Sequence, residues 1–241
     1  MLITSKNNPL VKELSALKEK KFRRARGSFL VEGAKMVREC VLSGMEIIRL
    51  AVREDYLGET YGLETVILGT EAFKAVADEK TPQGILAEVK IPVHAIEPPQ
   101  KRCLLLDGVA DPANVGAIIR TAVAAGYEEL YLVDCADAFS PKSVRASMSG
   151  VFFAKLMQGT REELLAALEG VSLIAADMNG ENVFTFRAPE KYCLCIGSEA
   201  NGLSDRLRAA ASYTVKIPMD ARTESLNAAV SAGILMYLLA N

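Results

Sequence analysis

The chain has 241 residues, half of them hydrophobic, with 28 Lys and Arg against 30 Asp and Glu for a formal net charge of −2. That size suits one large or two small domains with a substantial core, and the composition excludes a disordered chain, a collagen and a disulfide scaffold. Averaged over the whole chain, the slight negative charge also argues against a nucleic-acid binder.

Residues 1–6 contain no apolar signal core, and no run reaches the roughly 18 uninterrupted apolar residues of a membrane span, so the chain reads as soluble and cytoplasmic. The charge average conceals an asymmetry. Residues 1–40 carry ten basic and four acidic side chains, a balance of +6, which leaves −8 for the rest. Within this arm, Lys18 to Arg26 groups Lys20, Lys21, Arg23 and Arg24 around Phe22. Such a cluster suits a stripe that grips phosphates with one aromatic ring to stack, and equally a solvated helix face.

Beyond the arm, residues 34–42 and 71–77 have apolar side chains at helical spacing, and 47–52, 65–68 and 84–89 read as strands. The Pro-rich stretch that follows holds the single histidine, His94, between Pro92 and Pro98. A Ser-His-Asp hydrolase needs its imidazole beside a nucleophile and a carboxylate, so a linker histidine disfavours that chemistry. We therefore divide the chain into a domain at 1–92, a linker at 93–101 and a domain at 102–241.

In the second domain, strands are expected at 103–107, 130–134, 172–176, 192–196 and 213–217, with helices near 114–125, 161–169, 203–210 and 225–239. Continuously apolar strands alternating with helices predict an α/β fold with a parallel sheet. Cys193 and Cys195 fall inside such a strand and read as small core residues. The five cysteines include no C-x-x-C pair, which disfavours zinc ribbons and thioredoxin-like sites, and free thiols suit a reducing compartment.

Ligands of an open α/β sheet bind beyond the carboxyl ends of its strands, and three loops there are rich in Gly, Asn, Glu and Ser. The first, Asp107 to Ala122, turns from strand to helix, with Asn114 as a candidate N-cap and Arg120 two turns in. By itself it fits a capped surface helix or a ligand loop. The second, Ile196 to Ser204, resembles a phosphate-binding P-loop, but Leu203 stands where the lysine belongs and Glu199 would repel phosphate. No G-x-G-x-x-G fingerprint is present, so a nucleotide-binding enzyme of those types is disfavoured. In the third, Ile217 to Val230, Ser225 can cap the final helix, whereas Asn227 is a polar residue in an otherwise apolar first turn.

In order and spacing these loops resemble the three motifs of the SpoU (TrmH-like) family of RNA ribose 2′-O-methyltransferases. Thr4 to Pro9 and Phe29 to Gly33 look like the family's substrate-binding amino-terminal domain, and Ser140 to Ser147 like a segment between its first two motifs. The resemblance implies a knotted (trefoil) α/β methyltransferase domain behind a small ribosomal-protein-like RNA-binding domain, and a homodimer. It implies S-adenosylmethionine as cofactor, lined by Gly197, Ile217, Met219 and Leu226. Catalysis would fall to Asn114, Arg120, Glu199, Ser225 and Asn227, with RNA contacts from the basic arm and Arg145. A guanidinium keeps its proton in proteins and is a poor base, so the role expected of Arg120 is to grip the phosphate beside the target ribose and steady the developing alkoxide. The implied substrate is 23S rRNA; the alternatives are tRNA, or a non-catalytic RNA-binding protein on the same scaffold. No metal is implied.

Overall fold

The computed structural model describes residues 2–223 and 225–240. In chain order the elements are β1 (Leu2–Ile3), α1 (Pro9–Ala16), α2 (Lys20–Arg26), β2 (Ser28–Glu32), α3 (Ala34–Leu42), β3 (Ile47–Arg53), β4 (Thr65–Leu68), α4 (Thr70–Val76) and β5 (Ile85–Lys90). There follow β6 (Cys103–Asp107), α5 (Pro112–Ala124), β7 (Glu129–Val133), α6 (Pro141–Ser147), β8 (Lys155–Gln158) and α7 (Arg161–Ala167). The chain continues through β9 (Ser172–Asn182), β10 (Tyr192–Gly197), α8 (Asp205–Ala210), β11 (Tyr213–Lys216) and α9 (Ala228–Leu239). Two compact units result: residues up to Pro92 together with Phe139–Phe152, and Val93–Ala138 together with Phe153 onward.

The first unit is a mixed sheet in the order β1-β4-β3-β5-β2, with β5 antiparallel to both its neighbours. Asn8 caps α1 by accepting from the Leu10 amide, and Pro9 occupies the first turn, where an N–H has no helical partner. Val11, Leu14 and Leu17 then pack with Phe73, Val76 and Leu86 in one core. Glu88, fully buried on β5, is compensated by Arg26 at 2.5 Å, Arg49 at 3.1 Å and the Ser28 hydroxyl at 2.8 Å. Without those partners a buried carboxylate would be strongly destabilising.

The segment 139–152, placed in the second domain by the sequence division, belongs to this first unit. Its helix α6 packs on β2, and the Phe139 ring lies 5.0 Å from that of Phe29. Alternation of strands and helices reports that a helix covers a sheet, but not which sheet, and Phe139 and Val144 find their apolar cover here.

The second unit is the expected parallel sheet, with six strands in the order β11-β9-β10-β6-β7-β8. Four of the five expected strands lie within a residue of their expected bounds; the fifth, β9, runs on to Asn182, and β8 is additional. Cys193 and Cys195 are buried beside Leu105, Tyr131 and Leu173, as core residues of a covered strand.

The final helix is fastened at its carboxyl end. Tyr192 donates to the Leu239 carbonyl at 2.9 Å, and its hydroxyl lies 2.5 Å from that of Tyr127. Arg102 donates to the carbonyls of Ala240 and Ala125, at 3.2 and 3.1 Å, so one cation serves the ends of both α9 and α5. Burial pushes both phenols up, which keeps them protonated and able to donate. Among the described residues no helix is long and apolar enough to cross a membrane.

Candidate active site

The three polar loops leave the carboxyl ends of β6, β10 and β11, where an open parallel sheet presents its ligand crevice. After β6, Asp111 rather than Asn114 caps α5: its carboxylate accepts from the Ala113 amide at 2.9 Å, with Pro112 opening the helix. Asn114 therefore stands inside the first turn with its side chain released. After β11, Asn227 rather than Ser225 caps α9, accepting from the amides of Ala229 and Val230 at 2.9 and 3.3 Å. In both loops a side-chain oxygen two residues from an idle amide takes it, and local pattern alone leaves more than one candidate.

These caps orient a chain of side chains. The Asn227 carbonyl oxygen is committed to the helix amides, so its NH₂ group donates to Asn114 Oδ1 at 3.0 Å. The Asn114 NH₂ group in turn donates to Glu199 Oε1 at 2.5 Å. The amide orientations follow from chemistry: the backbone N–H groups at one end can only donate, which fixes Asn227 and, through it, Asn114. Three loops are thereby joined through uncharged dipoles to one carboxylate.

Beside this chain lies a cavity of about 410 Å³, a usual size for a small-molecule site. Its wall includes Gly197, Glu199, Ile217, Met219, Ser225 and Leu226. Gly197 is required by close approach, because a Cβ there would come within 2.0 Å of the Gly202 backbone. Ser198 and Gly202 exchange backbone hydrogen bonds at 3.0 and 2.9 Å, folding the second loop into a tight hairpin. In the third loop Asp220 accepts from the Arg222 amide and guanidinium, and Arg222 holds that carboxyl below its usual range.

The donor set fits S-adenosylmethionine. Ile196, Ile217, Met219, Leu226 and Leu235 offer apolar surface for a nucleoside, and Gly197 and Gly202 expose backbone groups. Asp177 and Glu199 suit its ammonium and sulfonium charges, while Arg208 and Lys216 suit its carboxylate. Sequence reasoning missed Asp177, Arg208 and Lys216. The signal was available for Asp177 and Lys216, which lie at the carboxyl ends of expected strands.

The structure thus gathers the four cofactor-pocket residues, Glu199 and Ser225 on one wall, and links Asn114 and Asn227 to Glu199. It does not bring Arg120 to that wall. Arg120 is exposed on α5, and among the described residues none bonds to its guanidinium. On the basic arm Lys20, Lys21 and Arg24 are exposed, with Lys21 4.7 Å from the Phe22 ring. Arg23 is a correction. It is only 2% exposed and donates to the Leu17 carbonyl at 2.7 Å, so it joins α2 to α1 and cannot grip phosphate. Helical spacing turns one residue of any four inward, and here that residue is Arg23. Arg145 is half exposed and paired with Asp78 at 2.7 Å.

Comparison with known proteins bears on this geometry. The model of the SpoU rRNA Methylase family matches residues 101–237, and that of an MRM3-like substrate binding domain matches residues 8–87. The chain is 32% identical over 244 residues to the 23S rRNA (guanosine(2553)-2′-O)-methyltransferase RlmP of Bacillus subtilis, covering 98% of each. It is 29% identical to the 23S rRNA (uridine(2479)-2′-O)-methyltransferase of Streptomyces viridochromogenes, covering 98% of this chain and 90% of the relative. Among solved structures, an AdoMet-bound rRNA methyltransferase from Sinorhizobium meliloti superposes with a TM-score of 0.90 at 28% identity, covering 99% of this chain and 97% of the other.

Proposed function

Because this chain belongs to the SpoU rRNA methylase family, we propose that it methylates a ribose 2′-hydroxyl of 23S rRNA, using S-adenosylmethionine held in the cavity beside Glu199. The observation that carries this reading is the hydrogen-bonded chain that joins Asn227 and Asn114, from two separate loops, to Glu199 on the wall of that cavity. When bound, S-adenosylmethionine supplies a methyl group already activated on sulfur, so the protein has to orient the acceptor and manage one proton.

Gly197, Ile217, Met219 and Leu226 hold the cofactor, largely through backbone groups and apolar contact. Asn114, fixed between Asn227 and Glu199, orients the 2′-hydroxyl, with Ser225 on the same wall as a further hydrogen-bonding group. As the 2′-oxygen took up the methyl group that S-adenosylmethionine would supply, its proton would pass to the phosphate of the neighbouring nucleotide. Arg120 grips that phosphate and stabilises the developing alkoxide. Lys20, Lys21 and Arg24 supply sequence-independent contacts to the RNA backbone, with Arg145 as a further candidate.

We further propose that two chains pair through their methyltransferase domains and share the site. Two observations support this: Arg120 is exposed and off its own cavity wall, and α9 exposes half of Val230 (50%) and Tyr237 (52%). The expected trefoil knot is part of the same proposal; the third loop and α9 contribute to the cavity that the second loop encloses. A cytoplasmic location accords with five free thiols.

The test is transfer of label from methyl-labelled S-adenosylmethionine to 23S rRNA, 16S rRNA and tRNA pools, followed by mapping of the modified nucleotide. Incorporation at one 2′-hydroxyl of 23S rRNA is expected. Label in tRNA alone overturns the substrate, and cofactor binding without any transfer favours an RNA-binding protein.

A further inference from the structure

Three locally unfavourable choices meet at one guanidinium in the second unit. Arg161 is the first residue of α7, where the helix dipole disfavours a cation and the Thr160–Glu163 capping box already serves the amides. Ser204 stands at the N-cap of α8 yet makes no side-chain cap bond. Asp134, just after β7, has φ of 51°, a left-handed conformation that costs a side-chain-bearing residue energy. One set of contacts accounts for all three. Arg161 Nη1 donates to Asp134 at 2.6 Å, Nε donates to the Ser204 hydroxyl at 3.1 Å, and Nε and Nη2 donate to Asp107 Oδ1 at 3.1 and 2.6 Å.

Asp107 is the hub. It is 2% exposed, and its other oxygen accepts from the Ser204 amide at 2.7 Å. In the sheet the backbone of Asp107 also lies opposite Gly197. Both ends of the Gly197–Ser204 loop are therefore tied to this one residue, and that loop carries Glu199 and part of the cavity wall.

We infer that Arg161 is a positioning residue for methyl transfer: clamped between Asp107 and Asp134, it holds the Ser204 end of the loop and so fixes Glu199 against Asn114. The inference rests on the cavity being the cofactor site. An apolar residue at 107 would be cheaper to bury than a carboxylate. An aspartate that needs an arginine is explained by the loop the pair holds.

The experiment compares wild type with Arg161→Ala, Arg161→Lys and Ser204→Ala, using Lys155→Ala, which breaks an exposed ion pair in the same unit, as control. Dissociation constants for S-adenosylmethionine and for 23S rRNA fragments are measured separately, together with kcat and the melting temperature of the free protein. Arg161→Ala should weaken cofactor binding about tenfold or more, as expected for losing charge-assisted hydrogen bonds, and lower kcat, with RNA affinity unchanged. Arg161→Lys should rescue only part, because one ammonium cannot reproduce the planar fork. Should Arg161→Ala not fold, Ser204→Ala removes one acceptor and should still split cofactor from RNA affinity in the same direction. A lower melting temperature with cofactor affinity and kcat unchanged overturns the positioning role. Failure of the wild type to bind S-adenosylmethionine overturns instead the cofactor reading beneath it.

Discussion

The basic arm and the catalytic loops use polar residues in opposite ways. In the arm, cations adjacent in the sequence part company on folding. Lys20, Lys21 and Arg24 face solvent, Arg23 is buried against the Leu17 carbonyl, and Arg26 is taken up by Glu88 and Glu13. In the catalytic unit, Asn114 and Glu199 lie 85 positions apart and Asn227 a further 113 from Asn114, yet they form one hydrogen-bonded chain. A count of charges along a sequence thus overstates what is available to a ligand, whereas a few well-placed neutral amides understate it. The net charge of an arm sets its long-range field; only the outward-facing part makes phosphate contacts.

That contrast can be broken at its catalytic side first. Arg120→Ala should lower kcat by about 100-fold or more, the size of effect found when a group stabilising a developing oxyanion is removed, with calorimetric affinity for S-adenosylmethionine retained. Near-wild-type turnover would remove Arg120 from the mechanism. On the arm, replacing Lys20, Lys21 and Arg24 together should weaken RNA binding and reduce the log–log salt slope by about 2, at roughly 0.7–0.9 per phosphate contact. An unchanged slope would return these residues to a solvated helix face.

Arg23 sharpens the same distinction, because its neighbours and it should separate cleanly. Arg23→Ala should destabilise the protein by about 1–3 kcal/mol, the cost of leaving a buried acceptor unpaired, in denaturant melts, while the salt slope of RNA binding stays as in wild type. At the far end of the second unit, Tyr192→Phe removes the bond to Leu239 and should cost about 1 kcal/mol without altering cofactor affinity. The smallest effect concerns Glu32, whose carboxyl is raised above its usual range by burial, against the lowering effect of the Asp78 and Glu79 amides. Its folded pKa exceeds its unfolded one, so its contribution to stability is complete below the ordinary carboxyl range and fades as pH rises through the raised value. Stability measured against pH should lose that component in Glu32→Gln.

Much of the catalytic unit was legible before any coordinates. Runs such as residues 103–106 and 193–196 are apolar at every position, which fits cover on both faces and so a parallel sheet. The strand-end rule then located the loops, and Gly197, Ile217, Met219 and Leu226 follow from their register with a known family. The expected caps were wrong in both instances where they mattered. Asn114 and Ser225 are chemically able to cap, and what excluded them was an aspartate three residues earlier and an asparagine two residues later. Arg161 was passed over for the same reason. Nothing in the pattern of α7 marks its first residue, since its partners lie 27, 43 and 54 positions away.

Near neighbours and periodicity were enough for the α/β alternation, the glycine demanded by a tight loop, and the family. Tertiary structure alone decided which asparagine caps and which is released, that Arg23 turns inward, that residues 139–152 belong to the first unit, and that Asp107, Asp134 and Ser204 share one arginine. The physical reason is the same in each case. Helix and strand patterns arise from a repeat of a few residues, but each polar side chain goes to the partner that compensates its desolvation best, and that partner is supplied by distant parts of the chain.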